Sequence, residues 1–321
     1  MAADEDQKKT KIAMLGLANA GKTSIIKTLI QEFDLLASVK PTLGVSRESM
    51  ELLGEDLFFW DFGGQDIYRD RYLSQPDKYF NNITYVFYVV DIQDKFLLDV
   101  SVEYFKLALE QLNQYSNVEK FVILFHKADP DLKTVQQAVE IQDAFLSEIR
   151  PILKKQNKQP ETYQTSIYDP FSIITAFSRT LIPKEELPEK VSEMLADFCE
   201  NYHIAYSIIF TDQFFEVGNY MVDERMTSIL ENFFEDIKSY NGSEDVIEVL
   251  YEDVQVISSE FTIPHEGMAL NFYLVIGFYD EQSIFGKDRL NHVIDKLADN
   301  FKKLFMNVDL SKVLDETAFD I

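Results

Sequence analysis

Cysteine is nearly absent from this chain. Cys199 is the only one in 321 residues, so no disulfide can form within it. Histidine is scarce as well, and His126, His203, His265 and His292 are scattered without the spacing of metal ligands. Long apolar runs are missing. The longest, around Tyr85–Val90, is far too short to span a bilayer, and the opening MAADEDQKK has no apolar core of a secretory signal. Position 2 is Ala and the final AFDI carries no cysteine, so neither a myristoyl nor a prenyl anchor is expected. A reducing, cytoplasmic setting is therefore expected, with membrane contact only through a partner.

Positive charge is sparse in the second half. Residues 1–183 hold 20 Lys+Arg against 26 Asp+Glu, whereas residues 184–321 hold 10 against 29, most of the net charge of -25. Such a surface repels nucleic acid and anionic lipid, so neither is an expected ligand. It suits basic partners, or is simply a solvated acidic face.

What is present suffices for a core: 46% of residues are hydrophobic and 13% aromatic, and the length suits two globular units. From Lys11 to about Leu181, strand-length apolar runs alternate with helical patterns, as in βαβ units around a mostly parallel sheet. Strands are expected at Ile12–Leu15, Ile83–Asp91 and Lys120–His126, with a hairpin of Ser46–Leu53 and Asp56–Asp61 about Gly54–Glu55. Helices are expected at Ser24–Phe33, Lys95–Tyr115, Glu140–Lys154 and Phe171–Leu181. Pro183 and Pro188, flanking a charged run, mark the expected boundary, giving domains of 8–183 and 184–309 and a tail of 310–321.

The second domain reads as an antiparallel sheet with helices. Its expected strands are Ile204–Thr211, Phe214–Val222, Val246–Tyr251, Gln255–Ile263 and Ala269–Tyr279, with helices near Glu189–Tyr202 and Asp288–Phe305. Met226, Ile229, Leu230, Phe233, Phe234 and Ile237 fall at helical spacing and read as a core stripe.

Gly16-Leu17-Ala18-Asn19-Ala20-Gly21-Lys22-Thr23 is a complete GxxxxGK[ST] loop between a strand and a helix. Its glycines let backbone N–H groups turn toward phosphates, and the helix opening at Ser24 adds its positive end. Asn19, Ala20, Gly21, Lys22, Thr23 and Ser24 are the expected phosphate contacts, with Lys22 on the β- and γ-phosphates and the Thr23 hydroxyl on Mg²⁺. Such a loop does not separate GTPases from ATPases or nucleotide kinases. Trp60-Asp61-Phe62-Gly63-Gly64-Gln65 narrows the choice: Asp61 can steady the Mg²⁺ shell through water, the Gly64 N–H can bind the γ-phosphate, and Gln65 can orient the attacking water. In Pro41-Thr42-Leu43-Gly44, Thr42 offers a second Mg²⁺ hydroxyl.

His126-Lys127-Ala128-Asp129 ends a buried strand, where the Asp129 carboxylate can accept from the guanine N1–H and 2-amino group while the Lys127 stem covers the base. Adenine offers no such donor pair. Thr165-Ser166-Ile167 can add a backbone N–H for the guanine O6, so Ser166 and Ile167 join the expected base site. With these motifs together the sequence resembles the Ras-superfamily GTPases, and within them the Rag/Gtr family. The resemblance rests on His126 in the guanine motif, Thr165-Ser166-Ile167 running into an aromatic-containing helix, and Gly63-Gly64-Gln65-Asp66. Asn19 to Thr23 and Pro41 to Gly44 are also similar to Arf-type GTPases.

The resemblance implies an α/β P-loop GTPase domain with a mostly parallel six-stranded sheet, followed by a smaller roadblock-like α/β domain used for pairing. It implies GTP/GDP and Mg²⁺ as cofactors, Lys22 and Gln65 as catalytic residues, and activating and exchange proteins as partners. It also implies a homodimer or a heterodimer with a related GTPase. A cycling switch and a nucleotide-locked scaffold both remain open, while an ATPase or kinase would leave Asp129 and Gln65 without a task.

Overall fold

Apolar runs with no polar alternation are stable only where a sheet is covered on both faces. Three such strands make the centre of the first sheet: β1 (Thr10–Gly16), β4 (Tyr85–Asp91) and β5 (Lys120–His126). The computed structural model describes residues 10–306 apart from 31, 33–35, 37–38, 54, 130–134, 183–186, 223–228, 231, 234–245, 252–253, 266–267 and 280–286. With the hairpin β2 (Val45–Leu52) and β3 (Glu55–Phe62) and with β6 (Glu161–Thr165), the sheet has the order β2-β3-β1-β4-β5-β6. Only the β2–β3 pairing is antiparallel. Leu53, at the hairpin turn, takes a φ of 53°. Gly54 lies outside the described residues.

The helices of this unit are α1 (Lys22–Leu29), α2 (Asp66–Ser74), α3 (Pro76–Tyr79), α4 (Leu98–Tyr115), α5 (Val135–Lys154) and α6 (Pro170–Leu181). α1 begins two residues before the expected Ser24, because Gly21 serves as its N-cap. α2 and α3 were not expected. Tyr72 is the buried residue of α2, so no apolar stripe announces that helix. One aromatic cluster holds α4 and α5 to the sheet: Tyr88 of β4 meets Phe105 edge-on at 5.0 Å and stacks on Phe145 at 5.7 Å. Each such ring stabilises by about 1.5–3 kcal/mol when fully buried.

The second unit holds α7 (Leu187–Tyr202), β7 (Tyr206–Thr211), β8 (Glu216–Met221), β9 (Val246–Tyr251), β10 (Val254–His265), β11 (Met268–Tyr279) and α8 (Lys287–Met306). Its sheet is antiparallel throughout, in the order β8-β7-β11-β10-β9. Val293, Leu297, Phe301 and Phe305 form the buried stripe of α8, and Phe301 lies against Phe261 and Phe272 at 5.5 and 5.0 Å. Gly277 is required by packing, since a Cβ there would stand 2.0 Å from the Tyr206 ring. Of the helical stripe expected at 226–237, Leu230 and Phe233 are described and buried, whereas Met226, Phe234 and Ile237 lie outside the described residues.

The division between the two compact units falls at Ala176/Phe177, inside α6, ahead of the expected boundary at 183/184. The end of α6 is bound into the second unit, where the Glu216 N–H donates to Ser178 Oγ at 3.0 Å. The charged run 184–186 and the tail 310–321 lie outside the described residues. Among the described residues, no helix is long and apolar enough to cross a membrane.

Candidate nucleotide site

β1 lies between β3 and β4, and the loops leaving the carboxyl ends of these strands enclose a crevice of the kind where open α/β sheets bind ligands. The chain leaves β1 at Gly16 with φ 139°, and a Cβ there would sit 2.4 Å from the Val89 carbonyl oxygen. Asn19 (φ 62°) and Gly21 (φ 98°) complete the turn into α1. No side chain caps α1 and no acidic residue occupies its first turn, so its N–H groups and positive end are left for an anion.

Lys22 is buried within this loop. Its Nζ donates to the carbonyls of Gly16 at 3.0 Å and Leu17 at 2.7 Å, and burial lowers its pKa to about 8. An anion beside this ammonium would offset that desolvation. Beneath it, Asp61 Oδ2 accepts from Thr23 Oγ1 at 2.5 Å and from Thr42 Oγ1 at 2.8 Å, while the two hydroxyls stand 2.8 Å apart. The other carboxylate oxygen, Oδ1, is buried and has no hydrogen-bond partner. Two hydroxyls and a carboxylate with an unused buried oxygen form a hard donor set that suits Mg²⁺. Among the described residues no three His, Cys, Asp or Glu gather to hold a metal, so a cation here would depend on this set.

The glycines after Asp61 allow backbone to lie on backbone. A Cβ on Gly64 would meet the Leu17 carbonyl carbon at 2.2 Å and the Ala18 nitrogen at 2.3 Å. The Gly63 N–H and the Tyr72 hydroxyl both donate to the Gly44 carbonyl, at 2.8 and 2.7 Å, tying the segment after Thr42 to the segment after Asp61. Around these contacts lies a cavity of about 230 Å³ lined by Asn19, Gly21, Lys22, Thr23, Ser24, Thr42, Gly64 and Gln65. Ala20 is buried below the loop. Val39 and Lys40 line the cavity too, although the motifs did not name them.

The residues expected to read a base gather at the ends of β5 and β6. His126 is buried, pairs its Nδ1 with Thr165 Oγ1 at 3.0 Å, and turns the other edge of its ring toward Gly21, where a Cβ would lie 2.3 Å from Cδ2. Burial pulls its pKa down to about 4, so the ring is neutral at pH 7 and acts as packing between this strand end and the phosphate loop. Asp129 Oδ1 accepts from Ser166 Oγ at 2.6 Å, and Oδ2 from Gln93 Nε2 at 2.9 Å. Lys127 pairs with Asp91 at 2.6 Å. Ile167 follows in the β6–α6 turn, which the Asp169 N–H closes on the Ser166 carbonyl at 3.2 Å. The expected residues therefore form two groups. One surrounds the cavity, the other surrounds Asp129, and His126 against Gly21 joins them.

The model of the Gtr1/RagA G protein conserved region matches residues 11–239. The chain belongs to the Gtr1/RagA family. This Rag/Gtr-type chain is 29% identical to the GTP-binding protein GTR1 of Saccharomyces cerevisiae over 125 residues, 38% of the chain and 40% of that protein. It is 30% identical to the ADP-ribosylation factor-like protein 5 of Dictyostelium discoideum over 131 residues, 41% of the chain and 66% of that protein. With the Ras-related GTP-binding protein B of Rattus norvegicus it shares 23% identity over 308 residues, 85% of the chain and 80% of that protein. The matches thus span less than two thirds of the length of the first two relatives. Among solved structures, the Arl6 BBS3 small GTPase of Trypanosoma brucei matches with a TM-score of 0.40 at 24% identity, covering 53% of the chain and 94% of that one.

Asp91 and Gln93 are the site residues that motif reading missed. The available signal was the polar side chains Asp91, Gln93 and Asp94, directly at the end of a strand whose preceding six residues are all buried.

Proposed function

We propose that this chain is a guanine-nucleotide switch that binds GTP and GDP with Mg²⁺ and hydrolyses GTP slowly. The observation that carries the reading is the buried Asp61 carboxylate, hydrogen-bonded to both Thr23 and Thr42 beside Lys22, with one oxygen unused. That arrangement prepares a pocket for an anion and a cation together. Lys22 holds the β- and γ-phosphates, and the open N-terminus of α1 receives the phosphate oxygens. Bound Mg²⁺ would neutralise charge developing on the phosphoryl oxygens. Gln65, half-buried at the cavity wall, orients water for in-line attack. Asp129 selects guanine over adenine because it offers only acceptors.

Thr42 and Gly64 contact the γ-phosphate end in the GTP state, and their segments relax when that phosphate leaves. No arginine among the described residues lines the cavity; Arg69 instead is paired with Asp66 and lies over Tyr104 at 5.0 Å. Unaided turnover is therefore slow, with about 10³–10⁵-fold of rate to be supplied by an activating partner. Exchange factors reload the site. The second unit is a roadblock-like pairing domain, forming a homodimer or a heterodimer with a related GTPase. The long match to the Ras-related GTP-binding protein B and the exposed Leu250 on edge strand β9 support this reading. Single-turnover assays of the full-length chain with radiolabelled GTP, with and without chelator, test the switch. Mg²⁺-dependent release of phosphate supports it, and binding without any release would leave only a scaffold.

A further inference from the structure

The half-buried Asp129 carboxylate is not held by the motif residues alone. Asp91 of β4 and His126 of β5 are register partners, and the Ile92 N–H donates to the His126 carbonyl at 3.1 Å, so the segment leaving β4 runs beside the segment leaving β5. Gln93 stands at this junction. Its side-chain amide donates both protons into the base loop, one to the Lys127 carbonyl at 2.9 Å and one to Asp129 Oδ2 at 2.9 Å. Gln93 is itself anchored, because its own N–H donates to Asp91 Oδ1 at 2.9 Å and its carbonyl accepts from Gln137 Nε2 at 3.4 Å. Asp91 uses its second oxygen on the Lys127 ammonium at 2.6 Å. Lys127 sits at φ 64°, a left-handed conformation that a lysine does not adopt without support.

We propose that Gln93 is a specificity-positioning residue for the guanine site, which rests on the nucleotide reading above. A carboxylate has two oxygens with about four acceptor directions. Ser166 takes one direction on Oδ1 and Gln93 takes one on Oδ2, which fixes the rotation of the carboxylate and leaves one free direction on each oxygen. A ligand edge with two neighbouring donors needs both of those directions at once. A ligand with a single donor does not, since a carboxylate free to turn can always present one oxygen. Gln93 therefore sharpens recognition of the 2-amino group, which guanine has and hypoxanthine lacks. Among the described residues its side chain touches the base loop alone, at Asp129 Oδ2 and the Lys127 carbonyl.

The test is equilibrium binding of GDP and IDP to full-length wild-type protein and to Gln93→Ala and Gln93→Glu. Because Gln93 is solvent-exposed, the alanine variant is expected to fold, and its melting temperature checks this. Gln93→Ala is expected to weaken GDP roughly tenfold and IDP by less than about threefold, narrowing the preference for guanine. Gln93→Glu, which sets a second carboxylate against Asp129, is expected to weaken GDP further. Equal losses for GDP and IDP, no change, or tighter GDP binding in Gln93→Ala would overturn the proposal; tighter binding would make Gln93 a plug of the base site. If wild-type protein binds neither nucleotide, the guanine reading itself has failed, and that outcome is separate from a failure of Gln93.

Discussion

The two sheets of this chain both bury apolar side chains and differ in what happens at their strand ends. In the first unit, parallel strands all deliver their carboxyl ends to one side, so Gly16, Asp61, His126 and Thr165 open onto neighbouring loops. In the second, antiparallel strands alternate direction and no such edge gathers. β7 is buried along its whole length, and two of the polar atoms it hides, Tyr206 Oη and Ser207 Oγ, have no hydrogen-bond partner. The lesson is that parallel topology concentrates polar function at one end of a dry sheet, whereas the antiparallel unit spends its sequence on packing.

Four experiments bear on that contrast. The largest effect is expected from Phe301→Ala, which empties the α8 contact with Phe261 and Phe272 and should cost about 3–5 kcal/mol of stability, read by denaturant unfolding. GDP affinity of the folded fraction should not move; a parallel loss of affinity would erase the distinction between a packing unit and a binding unit. Next, Gln65→Leu should lower the single-turnover rate roughly hundredfold or more while GTP affinity stays within a few-fold, because the side chain acts only in the transition state. An unchanged rate would remove Gln65 from the chemistry.

A smaller change, about 1.5–3 kcal/mol in base selectivity, is expected from Asp129→Asn, which turns an acceptor into a donor and should shift preference from GTP toward XTP. Retained GTP affinity would misplace the base site. The smallest concerns acid. The folded-state pKa of His126 is near 4 against 6.5 unfolded, so between those values the unfolded chain binds more protons. The contribution of the neutral ring is complete above pH 6.5 and is lost as pH falls toward 4. Between pH 6.5 and 5.5 this amounts to about 1 kcal/mol. Thermal melts of wild type against His126→Asn should show the variant less sensitive over that interval, and identical slopes would mean that His126 is not buried in its neutral form.

Much of the first unit was legible in the sequence. β4 and β5 matched their apolar runs because nothing local competes with burial on both faces, and Lys22, Thr23, Thr42 and Gln65 meet around one cavity although 42 to 65 are separated by a hairpin. α2 escaped because its stability depends on Tyr72 packing against Phe62 and Tyr79, a contact that leaves no helical stripe. Gln93 escaped for a different reason. Its partners lie 34 and 36 residues away, and only the register of β4 on β5 brings them within 2.9 Å. The start of α1 was misread by two residues because a left-handed Gly21 replaces the usual polar cap.

The central claim is that one guanine nucleotide occupies the cavity under Lys22 with its base at Asp129. The most direct measurement is competition for a fluorescent GDP analogue on full-length protein by unlabelled GTP, GDP and ATP, with Mg²⁺ and then with chelator. The account predicts displacement by GTP and GDP but not by ATP, and weaker GTP binding once Mg²⁺ is removed. Displacement by ATP as effective as by GTP, or GTP binding indifferent to Mg²⁺, would contradict it.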